Sequence, residues 1–184
     1  MKRILMSTTG IAALAVVFAF TSIEKKATTY TVATDASKVT WTAANKGGPH
    51  SGTFPLKSGQ INVDNGKLTG GTFVIDLANL KADAGGLETH LKTKDFFDVA
   101  TFTEAVFTIS NVSYTNSNTA DITGNLSLHG ATAPVKFTAM ISASGDKVSA
   151  ESNFSIDRTS WGINYGPGNV DNAVKIGVTL VANK

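Results

Sequence analysis

From residue 28 onward, apolar and polar residues alternate with period two over most of the chain, the pattern of strands with one dry face and one wet face. The clearest stretch sets Ile122, Gly124, Leu126 and Leu128 on one parity against Asp121, Thr123, Asn125, Ser127 and His129 on the other. The same alternation places Val135, Phe137, Ala139 and Ile141 opposite Lys136, Thr138 and Ser142, and Val148, Ala150, Phe154 and Ile156 opposite Ser149, Glu151, Asn153 and Ser155. It returns at the C-terminus with Val174, Ile176, Val178 and Leu180 opposite Lys175, Gly177 and Thr179. Further strands are predicted at 30–33, 39–44, 51–56, 60–63, 67–77 and 105–114. Asn65-Gly66, Asn116-Ser117-Asn118 and Ser144-Gly145-Asp146 carry hairpin chemistry, so consecutive strands are expected to pair antiparallel.

Two segments break the alternation. Residues 84–99 (AGGLETHLKTKDFFDV) space Leu87, Leu91 and Phe96-Phe97 helically, which predicts a short helix crossing one end of the fold. Residues 157–168 (DRTSWGINYGPG) hold too much glycine and turn chemistry for a strand and are expected to form a long loop with a helical turn. Antiparallel strands with one apolar face form either a two-sheet sandwich or a closed barrel. The two long strands and the mid-chain helix favour the barrel. No internal repeat or boundary divides the chain, so residues 28–184 are expected to form one domain.

Composition adds a location and removes several function classes. Lys2 and Arg3 precede 20 residues, 4–23, without a charge, the most apolar part being 11–20; this is the layout of a secretory signal. Residues 1–22 are therefore expected to be a signal segment, with cleavage somewhere between 21 and 27, and the protein to be periplasmic or secreted. The alternative is an uncleaved N-terminal anchor, for which the charge-free run is just long enough. Without residues 1–22 the chain loses two of its 16 basic residues and none of its 14 acidic ones. The remainder is neutral, which argues against a nucleic-acid partner. There is no cysteine, so neither a disulfide frame nor lipid attachment at a signal cysteine is available. No nucleophile elbow, zinc-protease helix, phosphate loop or dinucleotide fingerprint occurs, and no enzymatic activity is expected. The three histidines lie about 40 residues apart, a spacing that argues against a shared metal site.

Several stretches together resemble the YceI-like family. They are Ser51-Gly52-Thr53-Phe54 with Ser58-Gly59, Gly71-Thr72-Phe73-Val74-Ile75-Asp76-Leu77, and the segment from His90-Leu91-Lys92 through Asp95-Phe96-Phe97-Asp98-Val99. Further on come Gly124-Asn125-Leu126-Ser127-Leu128-His129-Gly130, Ala133-Pro134-Val135, Phe154 with Arg158 and Trp161-Gly162, and Val174-Lys175-Ile176. The resemblance implies an extended eight-stranded antiparallel β-barrel, lipocalin-like, in the periplasm or outside the cell, holding a long isoprenoid or related amphiphile in its lumen and acting as a binder. A quinone-like lipid fits the same description; no other cofactor is implied. The chain departs from the family pattern at Leu87-Glu88-Thr89, where an Arg-Asp pair is common, and at Phe102-Thr103-Glu104-Ala105, where Tyr-Pro is common. Both departures lie near the expected mouth.

A prenyl carrier needs an apolar lining more than it needs reactive groups, since each buried methylene contributes ~0.8 kcal/mol. On inward parity Phe73, Phe107, Ile109, Leu126, Leu128, Phe137 and Phe154 are candidates for the lumen wall. His90, Leu91, Phe96, Phe97 and Phe102 are candidates for the mouth, with Phe96-Phe97 either plugging the barrel or lining its entrance. Arg158 and Trp161 complete the set. A guanidinium in that loop would pair with a polar ligand end, stack on the indole, or form a structural clamp with Asp157. For each apolar candidate the alternative is ordinary core packing, because eight strands can be filled by their own side chains; a cavity under ~300 Å³ would favour that structural or interaction barrel. Transient membrane contact and pairing of two copies stay open.

Overall fold

The computed structural model describes residues 27–184, so the signal segment expected at 1–22 lies outside the described residues. Eleven strands form: β1 (Thr28–Val32), β2 (Lys38–Asn45), β3 (Gly48–Phe54), β4 (Leu56–Asp64), β5 (Lys67–Asp76), β6 (Lys81–Ala82), β7 (Glu104–Tyr114), β8 (Thr119–Leu128), β9 (Ala131–Ser144), β10 (Lys147–Asp157) and β11 (Ala173–Asn183). One helix, α1 (Gly85–Leu91), and 3-10 turns at Thr34–Ala36 and Arg158–Trp161 complete the list. Among the described residues no helix is long and apolar enough to cross a membrane.

The strands make one antiparallel sheet in the order β1-β4-β5-β7-β8-β9-β10-β11, and β1 pairs back onto β11 through Thr31↔Asn183 and Val32↔Ala182. Eight strands thus close into a barrel. The hairpin β2–β3 continues the antiparallel pair of β1 and β4 past the 3-10 turn and Pro55, with β2 laid on β11 from Thr42↔Lys175 to Lys38↔Thr179. The predicted strands at 51–56 and 60–63 are therefore β3 and β4, one arm bent at Pro55, where a proline lacks the N–H that an unbroken ladder needs. The short edge strand β6, pairing Gly52↔Ala82 and Thr53↔Lys81, has no period-two signature and was invisible to pattern reading.

Turn chemistry sets the register. Asn65 and Gly66 both take positive φ, 49° and 76°, the two-residue hairpin turn whose twist matches the strands. His129 and Gly130 do the same at 51° and 77°, so His129 belongs to the β8–β9 turn and not to the wet face of the strand. The helix expected within 84–99 is shorter than its spacing suggested. It stops at Leu91, after which Phe97 N–H returns to the Leu91 carbonyl and Asp98 adopts φ 42°. The tandem aromatics then sit in a tight turn beside the helix end.

The inward side chains form two clusters. One gathers Tyr30, Val32, Ile61, Val63, Ile122, Ile141, Val148 and Leu180 toward the end that carries the β4–β5, β7–β8 and β9–β10 turns. The other gathers Trp41, Leu77, Leu80, Leu91, Phe96, Leu128, Val135, Trp161 and Ile163 beneath α1 and the 158–172 loop. The wall is not hydrogen-bonded throughout. The β9–β10 ladder runs from Ser144↔Lys147 to Met140↔Glu151 and stops, leaving residues 131–139 and 152–157 unpaired with each other. Side chains close that seam: the Ser152 hydroxyl donates to the Thr138 carbonyl at 2.7 Å, and Phe137 stacks on Phe154 with centroids 4.4 Å apart.

Candidate functional site

An apolar lumen runs between the two clusters, from Leu68, Ile122 and Leu180 at one end to Leu91, Phe96 and Ile163 at the other. Its middle is ringed by aromatics on successive strands. Phe73 of β5 lies 6.3 Å from Phe107 of β7, Phe107 lies 5.8 Å from Phe137 of β9, and Phe137 stacks on Phe154 of β10. Gly124 of β8 permits this file, because a Cβ there would come within 2.4 Å of the Phe107 ring. The lumen leaves about 230 Å³ for the centres of water-sized molecules, just under the ~300 to 1,000 Å³ of pockets for drug-sized ligands. By volume alone it falls on the side of the self-filled barrel. By shape it does not: the space is continuous along the barrel and its walls are apolar, which suits a slender hydrocarbon chain more than a bulky group.

The capped end is built by α1, the turn after it, and the 158–172 loop. Leu91, Phe96 and Phe97 all reach the lumen, and Phe97 meets Phe54 edge-on at 5.6 Å. Tyr165, 42% exposed, lies over Phe96 at 5.0 Å and against His90 at 4.8 Å, so the loop is latched to the helix by rings. The loop is held from inside by Arg158, which is only 5% exposed. Its Nε donates to the Asp171 carbonyl (3.0 Å), Nη1 to the Ile163 carbonyl (2.6 Å), and Nη2 to the Val170 carbonyl (3.1 Å) and Asn172 Oδ1 (3.4 Å). Burial pushes the guanidinium below its usual range, against the opposing pull of the Asp157 charge.

The Asp157–Arg158 clamp expected from the sequence does not form. Asp157 Oδ1 instead accepts from the Thr159 hydroxyl (2.7 Å) and the Thr159 amide (2.9 Å), capping the 3-10 turn, and these bonds hold its carboxyl below the usual carboxylate range. Adjacent residues on an extended backbone point apart, which is why neighbours in sequence made poor partners in space.

Eleven of the fourteen candidates named from sequence line the lumen: Phe73, Leu91, Phe96, Phe97, Phe107, Ile109, Leu126, Leu128, Phe137, Phe154 and Arg158. Three do not. His90 is on the solvent side of Phe96, with Nε2 2.9 Å from Asp95 Oδ2. Phe102 covers Gly130 and the His129 ring outside the barrel mouth. Trp161 is buried in the core cluster beneath the 158–172 loop without lining the lumen, its Nε1 donating to the Leu126 carbonyl at 2.7 Å. The chief lining residues missed were Trp41 and Phe54. Trp41 shares parity with Val39 and Ala43, so alternation in 39–44 was the available signal.

The histidines have separate partners: His50 Nδ1 with Asp83 at 3.0 Å, His90 with Asp95, and His129 Nδ1 with the Trp161 carbonyl at 3.2 Å. The Ser51 amide and then His50 hold the Asp83 carboxyl below its ordinary range.

Comparison with known proteins places this architecture. The YceI-like domain matches residues 30–182. A UPF0312 protein of Pseudomonas fluorescens (strain SBW25) is 31% identical over 137 residues, covering 70% of this chain and 71% of the relative. Among solved structures, BcnA of Burkholderia cenocepacia superposes with a TM-score of 0.75 at 23% identity, over 83% of this chain and 99% of BcnA. A polyisoprenoid binding domain from Saccharophagus degradans, implicated in plant cell wall breakdown, gives 0.68 at 13% identity, over 84% and 97%. With that match spanning nearly all described residues and the same closed barrel beneath it, the chain belongs to the YceI-like family.

Proposed function

We propose that this protein is an exported carrier of an isoprenoid or similar long-chain lipid, which it holds in the barrel lumen and releases unchanged. The observation that carries this reading is the continuous apolar lumen, walled by Phe73, Phe107, Phe137 and Phe154 and reaching from one core cluster to the other. Water gains little from such a space, whereas each methylene that enters it contributes ~0.8 kcal/mol, so a few isoprene units outweigh the cost of ordering the chain. The family and the polyisoprenoid binding domain among its structural neighbours support the ligand class. Export rests on the charge-free segment 4–23 behind Lys2 and Arg3.

Native mass spectrometry of the protein purified from its own cells, followed by solvent extraction, tests the reading. An added mass that extraction identifies as a prenyl lipid is expected. A second reading, a barrel whose interior is filled by its own side chains, is favoured by the modest free volume. It would be established by a protein that carries no lipid and takes none from prenyl-lipid vesicles.

A further inference from the structure

Among the described residues Arg158 is the one cation in the lumen wall. The other polar residues there are accounted for: Glu151 is exposed and faces outward by strand parity, and the Ser152 hydroxyl is spent on Thr138. A guanidinium has five N–H donors. Four are engaged by neutral acceptors of the 163–172 loop, and one on Nη1 has no acceptor among the described residues. No carboxylate among the described residues forms an ion pair with it, Asp157 being committed to Thr159. A buried positive charge held only by dipoles is the arrangement that an opposite charge stabilises most, because the low-dielectric surroundings strengthen their attraction and the cation's desolvation cost is already met.

We propose that the ligand of this lumen carries an anionic oxygen head group, and that the head lies against Nη1 of Arg158 at the capped end while the tail runs toward the β4–β5 turn. This rests on the lumen being a lipid site, and it adds the class of head group and the orientation. Phosphate and carboxylate share the chemistry.

Four probes of one chain length separate the terms: a prenyl monophosphate, the corresponding carboxylate, the alcohol and the headless hydrocarbon. The native protein is expected to bind one or both anions at least about tenfold more tightly than the alcohol, the size of one hydrogen bond to a charged group. Arg158→Gln is expected to erase that preference, the anions losing at least about tenfold more affinity than the alcohol and the hydrocarbon lose, and Arg158→Lys to retain part of it. Equal binding of alcohol and anions by the native protein overturns the proposal, as does a uniform loss of all four in Arg158→Gln, which would make the arginine a loop clasp only. Failure of every probe, the hydrocarbon included, would remove the lipid reading itself. Should Arg158→Gln not fold, nitrogen-15 resonances of the native guanidinium decide: they are expected to move on adding the phosphate and not the alcohol, and an unmoved signal overturns the assignment.

Discussion

Gly124 and Asp157 show how single positions set the shape of the lumen and of its cap. At Gly124 any side chain would meet the Phe107 ring at 2.4 Å and the Thr108 carbonyl at 2.6 Å. Gly124→Ala is expected to push Phe107 into the lumen and to cost about 1 to 3 kcal/mol, the usual range for overpacking; urea unfolding checks the cost, and lipid uptake by the folded variant is expected to fall. Asp157 acts through its charge. Its carboxyl is held below the ordinary value of 3.8 by Thr159, so its capping bonds contribute fully above that value and are lost as pH falls through the depressed one. Thermal midpoints on either side of about pH 4 are expected to show a decline toward acid that Asp157→Ala reduces, and an unchanged acid profile in the variant would count against the cap. Neither role was legible in the sequence, where Gly124 was one more inward position and Asp157 an expected partner for Arg158.

Strands were the most legible elements, because alternation reports which face is dry whatever lies opposite. The seam between β9 and β10 is an element-scale feature that alternation cannot report. Both strands keep their pattern through 131–139 and 152–157, yet the ladder between them ends at Met140↔Glu151. Twist separates strands that end in different structures: β9 starts from a tight turn at His129-Gly130, and β10 runs into the 3-10 turn at Arg158. Hydrogen exchange reports the difference. Alternate amides in 152–157 point into the seam without a strand partner and are expected to exchange faster than the amides of 147–151. Uniform protection along β10 would mean that the seam is closed by backbone bonds in solution.

At the scale of the whole molecule the two tryptophans provide an internal reporter. Trp41 faces the lumen, with its Nε1 donating to the Lys81 carbonyl at 3.2 Å, whereas Trp161 is buried beneath the cap loop and does not line the lumen. An apolar ligand is expected to change the emission of Trp41 and to leave Trp161 nearly unaffected. Trp41→Phe should therefore abolish most of the ligand-induced signal, and Trp161→Phe should preserve it in whatever fraction remains folded. The reverse result would place the guest outside the lumen described above.

The alternation of side chains, the hairpin residues and the two breaks determined by themselves that this chain forms an antiparallel β fold, capped at one end by a short helix and a long loop, because those signals are local: each depends on residues within a few positions of one another. Most of the lumen wall followed from the same parity. Only the tertiary structure decided that β1 returns to β11 and closes the ring, that β9 and β10 part company, that His90, Phe102 and Trp161 stay outside the lumen, and that Arg158 binds loop carbonyls instead of its neighbour Asp157. Those outcomes turn on which distant groups can satisfy one another's charge, volume and hydrogen bonds once the chain is closed, and no pattern along one strand carries that information.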